Sequence, residues 1–129
     1  MALVYGDLPL EDEPFMAAIA HMGHVVSAKG YLRLVVYAAG TGGPNAKQRT
    51  AFRQLARLPL RAVLISDFAA MRALVTVAGW IMQQPMRATT TRETASALDF
   101  LELSATERSV MIELLSTLCA EGGYRPLVL

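Results

Sequence analysis

Two stretches decide what this chain can fold into. Tyr31–Ala39 (YLRLVVYAA) and Arg61–Ser66 (RAVLIS) are apolar at almost every position, rich in branched and aromatic side chains, and carry one charge each. A strand with one face in water alternates apolar and polar residues; these do not, so they read as strands buried on both faces. Strands of that kind belong to mostly parallel sheets, and parallel neighbours need a crossover between them. The intervening segments supply the crossovers.

Ala2–Tyr5 is a short apolar strand closed by Gly6-Asp7, with an extension through Leu10 left open. Glu11-Asp12-Glu13-Pro14 has the acidic residues and proline of a helix start. Phe15, Ile19, Met22 and Val26 then recur at helical spacing up to Ala28, and Gly30 is placed to end the helix. Gly40-Thr41-Gly42-Gly43-Pro44 is a loop, Asn45 an N-cap, and Ala46–Leu58 a second helix stopped by Pro59. Ser66 or Asp67 caps a third helix through Met82, whose buried face is Met71, Leu74, Val75, Ala78, Ile81 and Met82. Pro85 breaks the chain before a weak strand, Met86–Thr90. Thr90 and Glu93, then Ser104 and Glu107, have capping-box spacing ahead of a fourth helix (Ala97, Leu98, Leu101) and a fifth (Val110, Met111, Leu114, Leu115, Leu118). Gly122-Gly123 ends the fifth helix, and Tyr124–Leu129 is an apolar tail able to add a strand. The expected fold is one α/β domain, with a small, mostly parallel sheet of four to five strands under about five helices.

Composition narrows the function. Hydrophobic residues make up 53% of the 129 positions and charged ones 18%, the opposite of a disordered chain. A core of this size leaves apolar surface over for a partner, either another protein or a second copy. The net charge of +1 lacks the basic excess of a nucleic-acid binder. The single cysteine, Cys119, excludes an internal disulfide and a multi-thiolate zinc site, and fits a reducing, cytoplasmic setting. Met1–Leu10 lacks the basic residues and apolar run of a secretory signal. The longest apolar stretch, Phe68–Met82, is interrupted by Arg72 and falls short of the roughly 20 residues of a membrane span.

Arg61–Leu103 carries a pattern of its own. The strand RAVLISD leads into a helix with an Arg and a Gly-Trp pair (MRALVTVAGWI). A short strand after a proline (PMRATTT) and a helix of the form ETASALDFLEL follow. This resembles the SpoIIAA-like branch of the STAS domains, named for sulfate transporters and anti-sigma-factor antagonists. The resemblance spans roughly residues 1–103 and leaves residues 104–129 as an additional helix and tail. It implies a non-catalytic regulatory module that works by protein contact. STAS domains open with a further strand before the Gly-Asp-Leu segment, and here only Tyr124–Leu129 is available to fill that edge. Anti-sigma-factor antagonists also carry an Asp-Ser pair, with a phosphorylated Ser, where the loop enters the second helix. The matching loop, Gly40–Asn45, has neither residue, and Thr41 is its only hydroxyl that a kinase can use.

Several residue groups are candidates for a site. Thr41, Gly42, Gly43 and Asn45, with Asp67 across the strand ends, lie where backbone N–H groups at a helix start can hold an anion or small ligand. The dinucleotide and P-loop patterns both fail there, at Asn45 and at Lys47, and a plain turn is the simpler reading. Arg49, Arg53 and Arg57 form a basic row, with Lys47 and Arg61 near its ends, that suits an acidic partner or anionic lipid, or is simply a solvated helix face. Trp80, near Met82 and Met86, is either an interface anchor or a core residue. Met111 and Leu115 belong to an apolar stripe, Val110–Leu118, wide enough to bind a partner or a second copy. His21 and His24 are half of a metal site at most, so no metal is expected. Ser66 and Cys119 lack the surroundings of a nucleophile. No cofactor is implied, and no acid, base and nucleophile assemble into a catalytic set.

Overall fold

The computed structural model describes residues 1–129. Its sheet has four strands, β1 (Ala2–Tyr5), β2 (Leu32–Ala38), β3 (Leu60–Ile65) and β4 (Met86–Thr89), all parallel and in the order β1-β2-β3-β4. Three helices cross from each strand to the next: α1 (Asp12–Lys29), α2 (Ala46–Arg53) and α3 (Ala69–Met82). Two more, α4 (Thr94–Phe100) and α5 (Ala105–Glu121), follow the last strand. The fold is the expected α/β architecture.

The near-continuous apolar strands are explained by helices on both faces. Leu32, Leu34, Leu60 and Ala62 pack against Met22 and Ile19 of α1 and against Phe52 and Leu55 of the second crossover. Further along the same face, Ala38 and Leu64 meet Met71 and Val75 of α3. The alternate residues, Val35, Tyr37, Val63 and Ile65, face α4 and α5 and pack with Leu98, Leu101, Met111, Leu115 and Cys119. Every crossover steps in one direction along the sheet, so α1, α2 and α3 share one face and α4 and α5 cover the other. Each fully buried Leu of these clusters contributes about 1.5–3 kcal/mol.

Helix ends follow local chemistry in most places. Gly30 has φ 78° and donates to Val26 O at 2.7 Å, ending α1. Asn45 and Gln48 satisfy each other's backbone N–H at the start of α2, and Ser104 and Glu107 do so at α5. At the other end of α5, Gly123 (φ 66°) lets Gly123 N reach Ala120 O and Tyr124 N reach Cys119 O, a Schellman close.

Five expectations need correction. The second helix is α-helical only to Arg53; Gln54–Arg57 is a 3-10 turn that keeps Leu55 in the core. Its last carbonyls, Ala56 O and Leu58 O, accept from Gln84 Nε2 at 3.0 Å each. Neither Ser66 nor Asp67 is the N-cap of α3: the helix starts after Phe68, with no side-chain cap. The Thr90–Glu93 box does not form, because Glu93 Oε2 accepts instead from Thr89 Oγ1 at 2.8 Å, and a 3-10 turn (Thr91–Glu93) precedes α4. The strand β1 stops at Tyr5, since Gly6–Leu8 turns aside to pack under Gly40 and Gly42. Finally, Tyr124–Leu129 adds no strand. Tyr124 is drawn into the α4/α5 core beside Gly6, and Arg125 O accepts from Tyr37 Oη at 3.4 Å.

Candidate functional site

The C-terminal ends of the strands are where open α/β sheets place ligands, in the crevice where strand order reverses. The order here is monotonic, so no reversal opens one. In the loop weighed as an anion site against a plain turn, an internal carboxylate already takes one backbone donor. Asp7 Oδ1 accepts from Thr41 N at 2.9 Å and lies 3.4 Å from Thr41 Oγ1. A Cβ on Gly40 would meet the Asp7 carboxylate and backbone, and one on Gly42 would meet Gly6 O and Leu8 O. These glycines serve close packing, while Gly43 has open space around it. A second carboxylate, Asp12, takes the donors at the start of α2: Asn45 Nδ2 and Lys47 Nζ at 3.0 Å and Gln48 Nε2 at 2.9 Å. The bonds from Asn45, then Lys47, hold its carboxyl below the usual range. Asp67 is engaged in the next crossover, accepting from Thr91 N at 3.0 Å and from its hydroxyl, and the backbone bond depresses its pKa most. A phosphate on Thr41 would face the Asp7 carboxylate, a like-charge contact.

Of the residues expected to bind a partner, two are withdrawn by the structure. Met111 and Leu115 lie inward, against the sheet, with Cys119 one turn on. The inner part of the α5 stripe packs over β1 and into the far-side core, and only its margin, Val110 and Leu114, is exposed. Burial pushes the Cys119 thiol pKa up, as suits a packing residue. Arg49, Arg53 and Arg57 are exposed, and none pairs with a carboxylate; Arg49 Nη1 donates to Pro44 O at 2.9 Å. The ends of that row fall away. Lys47 pairs with Asp12, and Arg61 points to the opposite face of the sheet, onto Glu102 and Phe100 O.

Trp80 is the informative residue. It is 77% exposed, and beside it on the outer side of α3 stand Ile81 (76%) and Leu74 (63%), with Val77 half exposed. The sequence placed Leu74 and Ile81 on the buried face; the structure turns them to solvent. The reason lies in position: α3 packs on β3 and the edge strand β4, a surface that Met71, Val75 and Met82 already fill. Ala70 and Ala73 extend the same exposed face toward the N-terminus of the helix. The one charged residue of α3, Arg72, leaves that face and donates to Ser66 O at 2.8 Å. Exposed side chains of this size sum to on the order of 500 Å², at the top of the roughly 300–600 Å² range for the largest patch of a monomer.

Elsewhere the surface offers less. An open cleft of about 350 Å³ lies at the opposite, N-terminal ends of the strands, between the end of α1 and α5, with Val25, Leu103 and Val110 among its walls. Its polar side is Lys29, Arg33, Tyr31 and Glu107, the last two joined by a 3.1 Å hydrogen bond. His21 and His24 are both exposed, and no three His, Cys, Asp or Glu side chains converge as a metal site. No helix is long and apolar enough to cross a membrane. No family model, curated protein or solved structure matches the chain.

Proposed function

We propose that this chain is a non-catalytic, STAS-like interaction module that works by protein contact through the outer face of α3. The observation that carries the reading is the exposure of Trp80 together with Ile81, Leu74 and Val77 on a single helix face without a charge. Tryptophan is the residue most often found at the energetic centre of protein interfaces, and leaving an apolar face of this size in water is costly. The resemblance of Arg61–Leu103 to SpoIIAA-like segments supports the same reading, since that stretch contains all of α3. The exposed row Arg49, Arg53 and Arg57 on the preceding crossover pairs with no carboxylate and is a second, separate candidate surface. A ligand-sensing role at Gly40–Asn45 has less support, because internal carboxylates already take Thr41 N and the Asn45 and Gln48 side-chain donors. Buried Cys119 suits a reducing, cytoplasmic setting, which is part of the proposal.

The test is site-specific photo-cross-linking in extract of the native host. A photoreactive residue replacing Val77 or Ile81 is expected to give discrete adducts, and one replacing the exposed Ser116 of α5 is not. Absence of adducts from α3, or equal labelling from α5, defeats the reading.

A further inference from the structure

We infer that the occupant of the α3 face is a second copy of this chain, bound antiparallel across a two-fold axis near Val77; this rests on the interaction reading above. Three features of α3 lead there.

The first is charge. A face that recognises a partner of defined charge presents complementary groups, and this one presents none: Arg72, the only charged side chain of α3, is tied to Ser66 O. The exposed Arg53 and Arg57 belong to the preceding crossover and not to this helix.

The second is shape. The exposed face is graded along the helix, small at its beginning (Ala70, Ala73) and large at its end (Trp80, Ile81), with Leu74 and Val77 between. Reversing one copy on another about Val77 brings the small end of each helix opposite the large end of the other. Residue 73 then faces 81, and 74 faces 80. That is the isologous contact of a two-fold dimer, in which one patch complements itself. A parallel pair would instead stack Trp80 on Trp80 and leave the alanines facing across a gap.

The third is size. The apolar strip supplies on the order of 500 Å² per copy, so two copies bury about 1,000 Å², the lower bound of a specific interface and the size of a weak dimer.

Trp80 is the only tryptophan, so its emission reports this contact alone. Raising the concentration toward about 1 mM is expected to move the light-scattering mass from 14.0 kDa toward twice that value, with a parallel blue shift of Trp80 emission. Ile81→Glu and Leu74→Glu should each weaken association by about 30-fold or more with unchanged circular dichroism. In oxidative cross-linking, Val77→Cys should link to itself, and Ala73→Cys should link to Ile81→Cys but not to itself. High ionic strength should leave the dimer intact or tighter, since the contact is uncharged and apolar.

Self-linkage of Ala73→Cys alone, a dimer with solvent-exposed Trp80, or a dimer dispersed by salt would each overturn the inference. So would a mass of one chain throughout the concentration range. If the photo-cross-links then join α3 to another protein, the interaction reading stands and only the second copy is lost. If they join nothing, both are lost.

Discussion

Replacing Gly42 with alanine tests whether the Gly40–Gly43 loop is built for packing or for a ligand. A Cβ at Gly42 would meet Gly6 O and lie 2.8 Å from Leu8 O, both backbone atoms that no rotamer can move. Relieving those contacts requires a backbone shift of roughly 0.5–1 Å. Overpacking of this kind costs about 1–3 kcal/mol. The same shift disturbs the bond from Thr41 N to Asp7 Oδ1, so a total of about 2–4 kcal/mol is expected. For a domain of this size that lowers Tm by on the order of 10 °C. Gly43→Ala is the internal control: its Cβ meets nothing within 4 Å and its φ is not one that glycine alone favours. It should be neutral or gain about 0.4–1 kcal/mol through the unfolded chain. Thermal and urea unfolding followed by circular dichroism read both. If Gly42→Ala is as stable as the parent, or Gly43→Ala as damaging as Gly42→Ala, the packing argument is wrong and the loop's glycines serve something outside the fold.

The inward placement of Leu115 predicts that Leu115→Ala costs about 2–5 kcal/mol in urea unfolding. Val110→Ala, on the exposed margin of the same helix, should stay within about 0.5 kcal/mol; equal losses would mean α5 is rotated from the orientation described. Asp12, Asp67 and Glu107 all have depressed pKa values through hydrogen bonds. Their stabilisation is therefore present above the unfolded carboxylate range and lost as pH falls through the folded values. Tm should hold near neutral pH and decline from about pH 4 downward, less steeply in Asp67→Asn. An acid limb unchanged by that substitution would remove Asp67 from the account. Cys119 is buried with a raised pKa, so thiol reagents should modify it only through unfolding, at a rate that rises with denaturant. Immediate labelling of the native protein would contradict its place under α5.

Strand and helix order were legible because they depend on local period. YLRLVVYAA and RAVLIS are apolar on both faces whatever their partners, and each is followed by a segment with helical spacing. The caps at Asn45 and Ser104 and the stops at Gly30 and Gly123 were readable for the same reason: the satisfying group lies within a few residues. Where the best partner lies far along the chain, local reading failed. Asp67 serves Thr91 rather than its own helix, Gln84 closes the second crossover, and Asp7 binds into the Gly40–Gly43 loop.

Sequence alone thus determined that the sheet is parallel and doubly covered, because periodicity encodes how many faces of each element avoid water. It did not determine which apolar faces exceed what the fold can cover. The helices α3 and α5 both carry apolar residues beyond one narrow face. Tertiary neighbours separate them: both stand over an edge strand, but α5 has α4, Tyr124 and Leu127 packed around it in the far-side core, whereas the outer side of α3 has nothing over it. Burial is a property of neighbours brought together by the whole chain, so Met111 and Leu115 became core while Leu74, Trp80 and Ile81 were left in water.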